Sequence, residues 1–146
     1  MKFALNGALT IGTLDGANIE IRENVGDENI FIFGNTTAEV DAIRSAGYQP
    51  GAIVHSRMEL QRVLEAIRSG RFSPEEPDRY QAIYDVLVNW GDQYLLIADY
   101  ASYIAAQEKV DALYRQPERW ARKALRNIAG MGPFSSDRTI TEYAQE

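Results

Sequence analysis

Two short apolar segments near the start of the chain have the composition of buried β-strands, and they restrict the fold more than any other feature. They are residues 9–13 and 30–34, which are rich in β-branched or aromatic side chains and bounded by glycine. Between them, residues 17–26 fit a short helix that ends at Gly26. Strands that alternate with helices indicate parallel crossovers and therefore an α/β fold. Two strands alone do not make a stable sheet, so this half is predicted to be an incomplete one.

The rest of the chain is predicted to be mostly helical. Thr36 to Glu39 and Ser56 to Glu59 have the capping-box pattern, and Ser73 to Glu76 repeat the start signal with proline at the first helical position. Further helices are expected over about 99–115 and 117–130, and Ser135 or Ser136 is expected to cap a short last helix. We therefore predict an α/β portion at 1–50 and a helical portion at 51–146.

Composition excludes several classes of function. The 146 residues contain no cysteine and one histidine, His55, which rules out disulfides, thiolate chemistry and a multi-histidine metal site. The net charge of -6 argues against nucleic acid and anionic membranes as partners. Apolar runs are shorter than a membrane span needs, and the first residues lack a signal-peptide pattern. We expect a cytoplasmic protein without a metal site.

The glycine-rich start of the chain contains the residue with the most distinctive chemistry. Met1 and Phe3 flank Lys2 in an apolar setting that would desolvate its ammonium group and favour the neutral amine. A neutral lysine amine attacks carbonyl compounds, as in cofactor attachment. A lysine near a chain start is more often an ordinary solvated side chain. Composition alone leaves both interpretations open.

The same segment closely resembles the cofactor-attachment region of the α-glucan (glycogen, starch or maltodextrin) phosphorylases. In that family a glycine-rich stretch leads into Met-Lys-Phe, and Met1-Lys2-Phe3 matches the second half of this motif. The resemblance continues in order along essentially the whole chain, at residues 6–13, 15–18, 32–34, 69–74, 98–100, 112–114 and 134–140. So many ordered matches indicate membership of the family rather than chance.

The resemblance implies a specific function. Family members are hexosyltransferases that use inorganic phosphate to release glucose 1-phosphate from the non-reducing end of α-1,4-glucans, with retention at the anomeric carbon. Lys2 takes the place of the lysine that carries pyridoxal 5′-phosphate as a Schiff base, and it is the only site residue the resemblance transfers. The implied fold is the terminal part of a Rossmann-like C-terminal domain of the glycogen phosphorylase (GT-B) type. Full-length members are typically homodimers, and some are allosteric enzymes.

The resemblance also implies that much of the catalytic apparatus lies outside this sequence. In the family, the phosphate cradle, the glucose pocket and the N-terminal domain all precede the matched region. We therefore expect Met1 to reflect a truncation or a misplaced start codon, and the isolated chain to be inactive. The alternative is a non-catalytic helical interaction module, for which an exposed apolar face would serve. A pyridoxal-phosphate transaminase is a weaker third interpretation.

Several other residues allow a functional and a structural interpretation. Asp15 and Glu20 could form an acid/base pair, but Asp15 is more simply a helix cap. His55 is expected to be a solvated loop residue. The hydroxyls of Ser135 and Ser136 could bind an anion or cap a helix. Two larger sets favour structural roles: the basic residues Arg119, Arg122, Lys123 and Arg126 as a solvated or ion-paired stripe, and the aromatics Tyr80, Tyr84, Trp90, Tyr94, Tyr100, Tyr103, Tyr114 and Trp120 as helix-packing residues.

Overall fold

The structure, a computed structural model, describes residues 1–145. The strands are β1 (Ile11–Thr13) and β2 (Phe31–Phe33). The α-helices are α1 (Lys2–Leu5), α2 (Ala17–Val25), α3 (Thr37–Ser45), α4 (Pro50–Ser56), α5 (Met58–Arg68), α6 (Gln81–Tyr84), α7 (Leu96–Tyr114), α8 (Pro117–Gly130) and α9 (Ser136–Tyr143). Short 3-10 helices cover Asp27–Asn29, Pro77–Tyr80 and Gly132–Phe134, and a π-helix covers Asp85–Asn89. The chain divides into a first unit, residues 1–36 with the segment from 102 onward, and a second unit, residues 37–101.

The two predicted strands are present and pair in parallel, which confirms the α/β character of the first residues. Ile11 lies opposite Phe31 and Thr13 opposite Phe33. Helix α2 connects the strands and ends at Gly26, whose φ of 85° lies in the left-handed region that glycine adopts without strain. Each strand is only three residues long, so most of the described chain is helical.

The core of the first unit lies where α1, α2, the start of β2 and the end of α8 meet. Its buried members are Ala4, Ile21, Val25, Ile30 and Met131. Met131 is fully buried and Ile21 is 2 % exposed. Burial of one such side chain stabilises the fold by about 1.5–3 kcal/mol, which is ample to hold short helices that would not form alone.

The core of the second unit is formed by α4, α5 and the first residues of α7. Val54, Leu60, Leu64 and Ile97 are buried there, and Tyr84, Leu87, Val88 and Tyr100 pack against them. The apolar residues of α5 are therefore only partly buried. Met58 is 66 % exposed and Val63 is 50 % exposed, because α5 buries the narrower line of Leu60 and Leu64.

Two predicted helix starts in the second unit are wrong. Ser56 is the last residue of α4, where its hydroxyl donates to the carbonyl of Ile53, and Arg57 takes the N-cap position of α5. The residues after Ser73 form turns, and helical structure begins at Pro77 instead. Both errors have the same cause: a local start signal competes with a neighbouring proline, at Pro50 and at Pro77, whose fixed φ also suits a helix start.

A buried carboxylate organises the entry into α7. Asp92 is 1 % exposed and accepts hydrogen bonds from the backbone amides of Leu96 (3.0 Å) and Ile97 (2.7 Å) and from the Tyr48 hydroxyl (2.8 Å). These bonds satisfy amides that are free at any helix start. Asp92 and Leu95 both have positive φ, 47° and 56°. For residues other than glycine this conformation costs on the order of 1–3 kcal/mol, which the three hydrogen bonds offset.

Tyr48→Phe tests this arrangement through its dependence on pH. Burial, and then the hydrogen bond to Asp92, raise the pKa of the Tyr48 phenol well above its usual range. Tyr48 therefore contributes stability that is full below about pH 10, where an unfolded tyrosine ionises, and is lost as the pH rises further. Urea unfolding at pH 7 is expected to show a loss of about 1–2 kcal/mol in Tyr48→Phe, and the difference from wild type should shrink above pH 10.

Tyr143→Phe is the matched control, because Tyr143 is 72 % exposed. It should leave the free energy of unfolding within about 0.5 kcal/mol of wild type. Equal stability of Tyr48→Phe and wild type at pH 7 would contradict a stabilising bond between Tyr48 and Asp92.

Candidate functional site

Lys2 is the first residue of α1, and α1 is held to the first unit through a single buried side chain. Ala4 is 3 % exposed and belongs to the core, whereas Lys2, Phe3 and Leu5 are exposed. The amide nitrogen Nδ2 of Asn6 donates to the carbonyl of Lys2 at 2.7 Å and closes the end of this one-turn helix. The backbone of Lys2 is thus fixed while its side chain remains accessible.

Gly7 lets the chain turn away from α1 directly above α8. Its φ is 84°, and a Cβ atom at this position would lie 3.3 Å from Cδ1 of Ile128 and 3.6 Å from Cβ of Ala124. Both contacted residues belong to α8. Glycine is required on two grounds, the left-handed backbone and the close approach to α8. Helix α8 therefore sets the position of the segment that carries Lys2.

The surroundings of Lys2 differ from the sequence-based expectation. Met1 and Phe3 are 59 % and 84 % exposed, so they do not form an apolar enclosure around the lysine. No salt bridge or side-chain hydrogen bond involves the Lys2 amine within residues 1–145. The expectation that its neighbours desolvate it was wrong, because flanking apolar residues on a one-turn helix point away from one another.

The residues present suit one part of pyridoxal phosphate attachment. An exposed primary amine on a fixed backbone can bond covalently to a carbonyl carbon. The phosphate end of such a cofactor needs cations or backbone amides. Lys2 does not line the arginine-containing pockets along α4 and α5, beside α8, or at α2 and β2.

Asp15 and Glu20 do not form a paired site. Asp15 accepts a hydrogen bond from the Thr13 hydroxyl at 2.9 Å, and Gly16 is the N-cap residue of α2 without a side-chain cap. The predicted cap at Asp15 was therefore wrong. Both carboxylates are exposed. His55, expected in a loop, lies instead in α4; it is exposed, and its Nδ1 is 3.0 Å from the carbonyl of Gly51.

The end of the chain bears out the structural interpretation of its serines. Ser135 is the N-cap of α9, and its hydroxyl accepts a hydrogen bond from the amide of Asp137 at 3.2 Å. Arg138 pairs with Glu142 at 2.6 Å on the same helix. These contacts account for the polar groups at the start of α9, and they stabilise a helix end rather than form an anion site.

The predicted aromatic packing is partly right. Phe33 and Tyr103 meet edge to face with ring centroids 5.2 Å apart, and so do Tyr114 and Trp120. Tyr84 and Tyr100 pack on the second core. In contrast, Trp90 and Tyr94 are 69 % and 76 % exposed and do not serve as core residues in the described chain.

The predicted basic stripe of α8 is present, and its residues lie together beside a pocket of about 420 Å³. Arg119, Arg122, Lys123 and Arg126 line it with Glu118 and the buried Asn29. The sequence signal for it was their spacing of three and four residues, which places them on one helix face. Asn29, which completes the pocket from another part of the chain, had no sequence signal.

The chain belongs to the carbohydrate phosphorylase family, whose pattern matches residues 1–146. Among curated proteins, it is 51 % identical over 146 residues to the brain form of glycogen phosphorylase from Ovis aries and 50 % identical over 145 residues to the glycogen phosphorylase of Haemophilus influenzae. It is also 50 % identical over 146 residues to the muscle form from Homo sapiens. These alignments cover 99–100 % of this chain but only 17–18 % of the relatives.

Gly7→Ala tests whether Gly7 sets the position of α1. The added methyl group would be strained by the positive φ and pressed against Ile128, so we expect the free energy of unfolding to fall by about 1–3 kcal/mol. Chemical unfolding measures this directly. Gly132→Ala is the control, because a Cβ there meets no atom within 4 Å and its φ is not positive. Equal stability of the two variants would show that Gly7 is not a strained position.

Proposed function

We propose that this chain is the cofactor-carrying part of an α-glucan phosphorylase, and that Lys2 is the residue to which pyridoxal 5′-phosphate is attached. The observation that carries the proposal is about 50 % identity to glycogen phosphorylases of animals and bacteria over the full length of the chain. The Met1-Lys2-Phe3 motif at its start supports the assignment of Lys2. The chain spans less than a fifth of those relatives, so the activity is that of a longer protein.

The reaction proposed for that longer protein is phosphorolysis. An oxygen of inorganic phosphate bonds to the anomeric carbon of the terminal glucose, and the α-1,4 bond to the next glucose breaks. The departing oxygen receives a proton, and the products are glucose 1-phosphate and a glucan shortened by one residue. The chemistry that pyridoxal phosphate supplies when bound is a phosphate group that shares a proton with the substrate phosphate.

The residues of this chain would position the attached cofactor. The buried Ala4 fixes α1 in the core, and Gly7 brings the chain close over α8. The Lys2 side chain therefore extends from a backbone whose orientation the first unit determines. Attachment at Lys2 limits where the far end of the cofactor can reach, which is a proximity effect rather than proton transfer by the lysine.

We propose further that β1 and β2 are part of the larger parallel sheet of a Rossmann-like, GT-B type domain. Each strand pairs only with the other among residues 1–145. A two-stranded parallel sheet with helices on it leaves hydrogen-bonding groups open at its edges, and further strands would satisfy them. The cytoplasm as location and a homodimer as the assembly of the longer protein are part of the same proposal.

Borohydride trapping tests the role of Lys2. Protein incubated with pyridoxal phosphate, reduced and digested should carry the label at Lys2, because the Met1-Lys2-Phe3 motif assigns the attachment to this residue. Lys109 is the internal comparison, as another exposed lysine without a salt bridge in the described chain. We expect saturable labelling of Lys2 at a stoichiometry near one, by peptide mass spectrometry.

Lys2→Arg should abolish that labelling while leaving the far-ultraviolet circular dichroism unchanged, since the Lys2 amine forms no salt bridge or side-chain hydrogen bond in the described residues. Labelling spread evenly over Lys2, Lys109 and Lys123 would contradict a dedicated site. It would favour a helical interaction module instead, a role that the exposed Phe3, Phe72 and Trp90 also allow.

The isolated chain is expected to be inactive. Its described residues contain no catalytic constellation around Lys2, and most of the length of its relatives is missing from it. An assay of glucose 1-phosphate release from glycogen and inorganic phosphate, with a full-length phosphorylase as positive control, measures this. Turnover by the purified chain that Lys2→Arg removes would contradict the expectation.

A further inference from the structure

One face of α8 carries a concentration of positive charge that the chain itself does not neutralise. Four of the fifteen basic side chains of the protein lie here, at Arg119, Arg122, Lys123 and Arg126. This local positive charge contrasts with the net charge of the protein, which is -6. Arg119 precedes Arg122 and Lys123 by three and four residues, Arg126 follows them by four and three, and all four line one pocket. Repulsion between such neighbours costs stability unless anions lie among them.

The pairing of these four side chains shows how little of the charge is compensated. Only Arg126 forms a salt bridge within the described residues, to Glu28 at 3.2 Å. Arg119 donates to the neutral side-chain oxygen of Gln116 at 2.7 Å, and the Lys123 amine donates to the backbone carbonyl of Glu28. Arg122 makes neither a salt bridge nor a side-chain hydrogen bond in the part of the chain described. Three cations therefore lack a carboxylate partner.

The buried wall of the pocket is uncharged. Asn29 is 1 % exposed, and its Nδ2 donates to the carbonyl of Val25 (2.7 Å) and to Glu28 Oε1 (2.9 Å). These two acceptors fix the orientation of the amide, because the flipped form would place its oxygen against both of them. Its Oδ1 has no hydrogen-bond partner in the described chain, nor does Oδ1 of the fully buried Asn127. Both oxygen atoms are enclosed by protein atoms, so Asn29 contributes an uncharged wall to the pocket and the basic side chains contribute its charge.

We propose that this pocket binds a phosphate group, either as inorganic phosphate or as the phosphate of a sugar monoester. Arg119, Arg122 and Lys123 would bind the dianion, since guanidinium groups match phosphate oxygens in paired hydrogen bonds. The volume of about 420 Å³ lies within the about 300–1,000 Å³ of small-molecule sites.

The site is distinct from attachment of a cofactor at Lys2, which is absent from its lining. It therefore stands or falls independently of the proposed function. Negatively charged side chains also lie at the pocket. The Glu118 carboxylate lines it without forming a salt bridge in the described residues, and Glu28 neutralises Arg126. The negative charge of Glu118 repels a bound anion. Removing that charge by substitution should therefore strengthen anion binding, whereas removing one of the basic residues should weaken it.

Isothermal titration calorimetry of the purified chain with inorganic phosphate, at pH 7 and with ionic strength held constant by chloride, is the test. We expect saturable binding that Arg122→Gln weakens about tenfold, because one charge-assisted hydrogen bond pair is lost. Glu118→Gln should tighten binding about threefold by removing a nearby like charge. Arg79→Gln is the matched control: it removes the same charge from an exposed residue that only pairs with Glu76 at 3.5 Å, and it should leave affinity unchanged.

A second titration with glucose 1-phosphate distinguishes the two sources of the phosphate. Tighter binding than inorganic phosphate would assign the site to a sugar monoester, and equal or weaker binding would assign it to the free anion. The proposal is overturned if phosphate gives no saturable heat. It is also overturned if Arg122→Gln and Arg79→Gln weaken binding equally, since that would show a general effect of net charge. Lys2→Arg should not change the affinity.

Discussion

A buried hydrogen bond between two asparagines that lie 98 residues apart in the sequence holds the first unit together. Nδ2 of Asn127 on α8 donates to the backbone carbonyl of Asn29 at 2.9 Å, and Asn127 is fully buried. A buried carbonyl without a donor would cost about 1–3 kcal/mol, so α8 can pack in this place only with an amide at position 127. Gly130, whose Cβ would lie 2.8 Å from the Asn24 carbonyl, permits the same close approach of α8 to α2. The positions of the strands, α1 and α2 all depend on this packing of α8.

This dependence explains how a four-residue helix can hold Lys2, the proposed attachment residue, in a defined position. A single turn is unstable in water, because its nucleation cost is not repaid by further hydrogen bonds. Helix α1 exists because Ala4 is buried in the core and because Gly7 brings the chain over Ile128. The position of Lys2 is therefore determined by α8, more than a hundred residues later in the sequence.

The features that sequence could predict are those with local causes. Proline at the first turn and glycine at the end predicted α8 as Pro117–Gly130. The cap of α9 was predicted at Ser135 or Ser136, and Ser135 is the residue that caps it. The strands were predicted because their composition differs from that of their surroundings. Burial follows less directly from the sequence: Met58 and Val63 are apolar residues of α5 yet remain exposed, since the tertiary partner decides which side of the helix is covered. Asn29 and Asn127 escaped prediction altogether, because a buried amide and a surface amide look alike in a sequence.

The same limit applies to the two candidate sites. Lys2 was found through a motif, whereas the pocket beside α8 requires Asn29 to meet residues about a hundred positions later, which only the fold provides. The two candidate sites depend on different faces of α8. Its buried face holds α1 and the turn at Asn29 in place, and its basic face is the proposed anion site. An anion bound there would neutralise the repulsion along α8 and, by binding the folded state alone, would stabilise the helix on which α1 is positioned. Occupancy of the pocket and the order of the Lys2 segment are therefore expected to be coupled through α8, without any contact between the two sites.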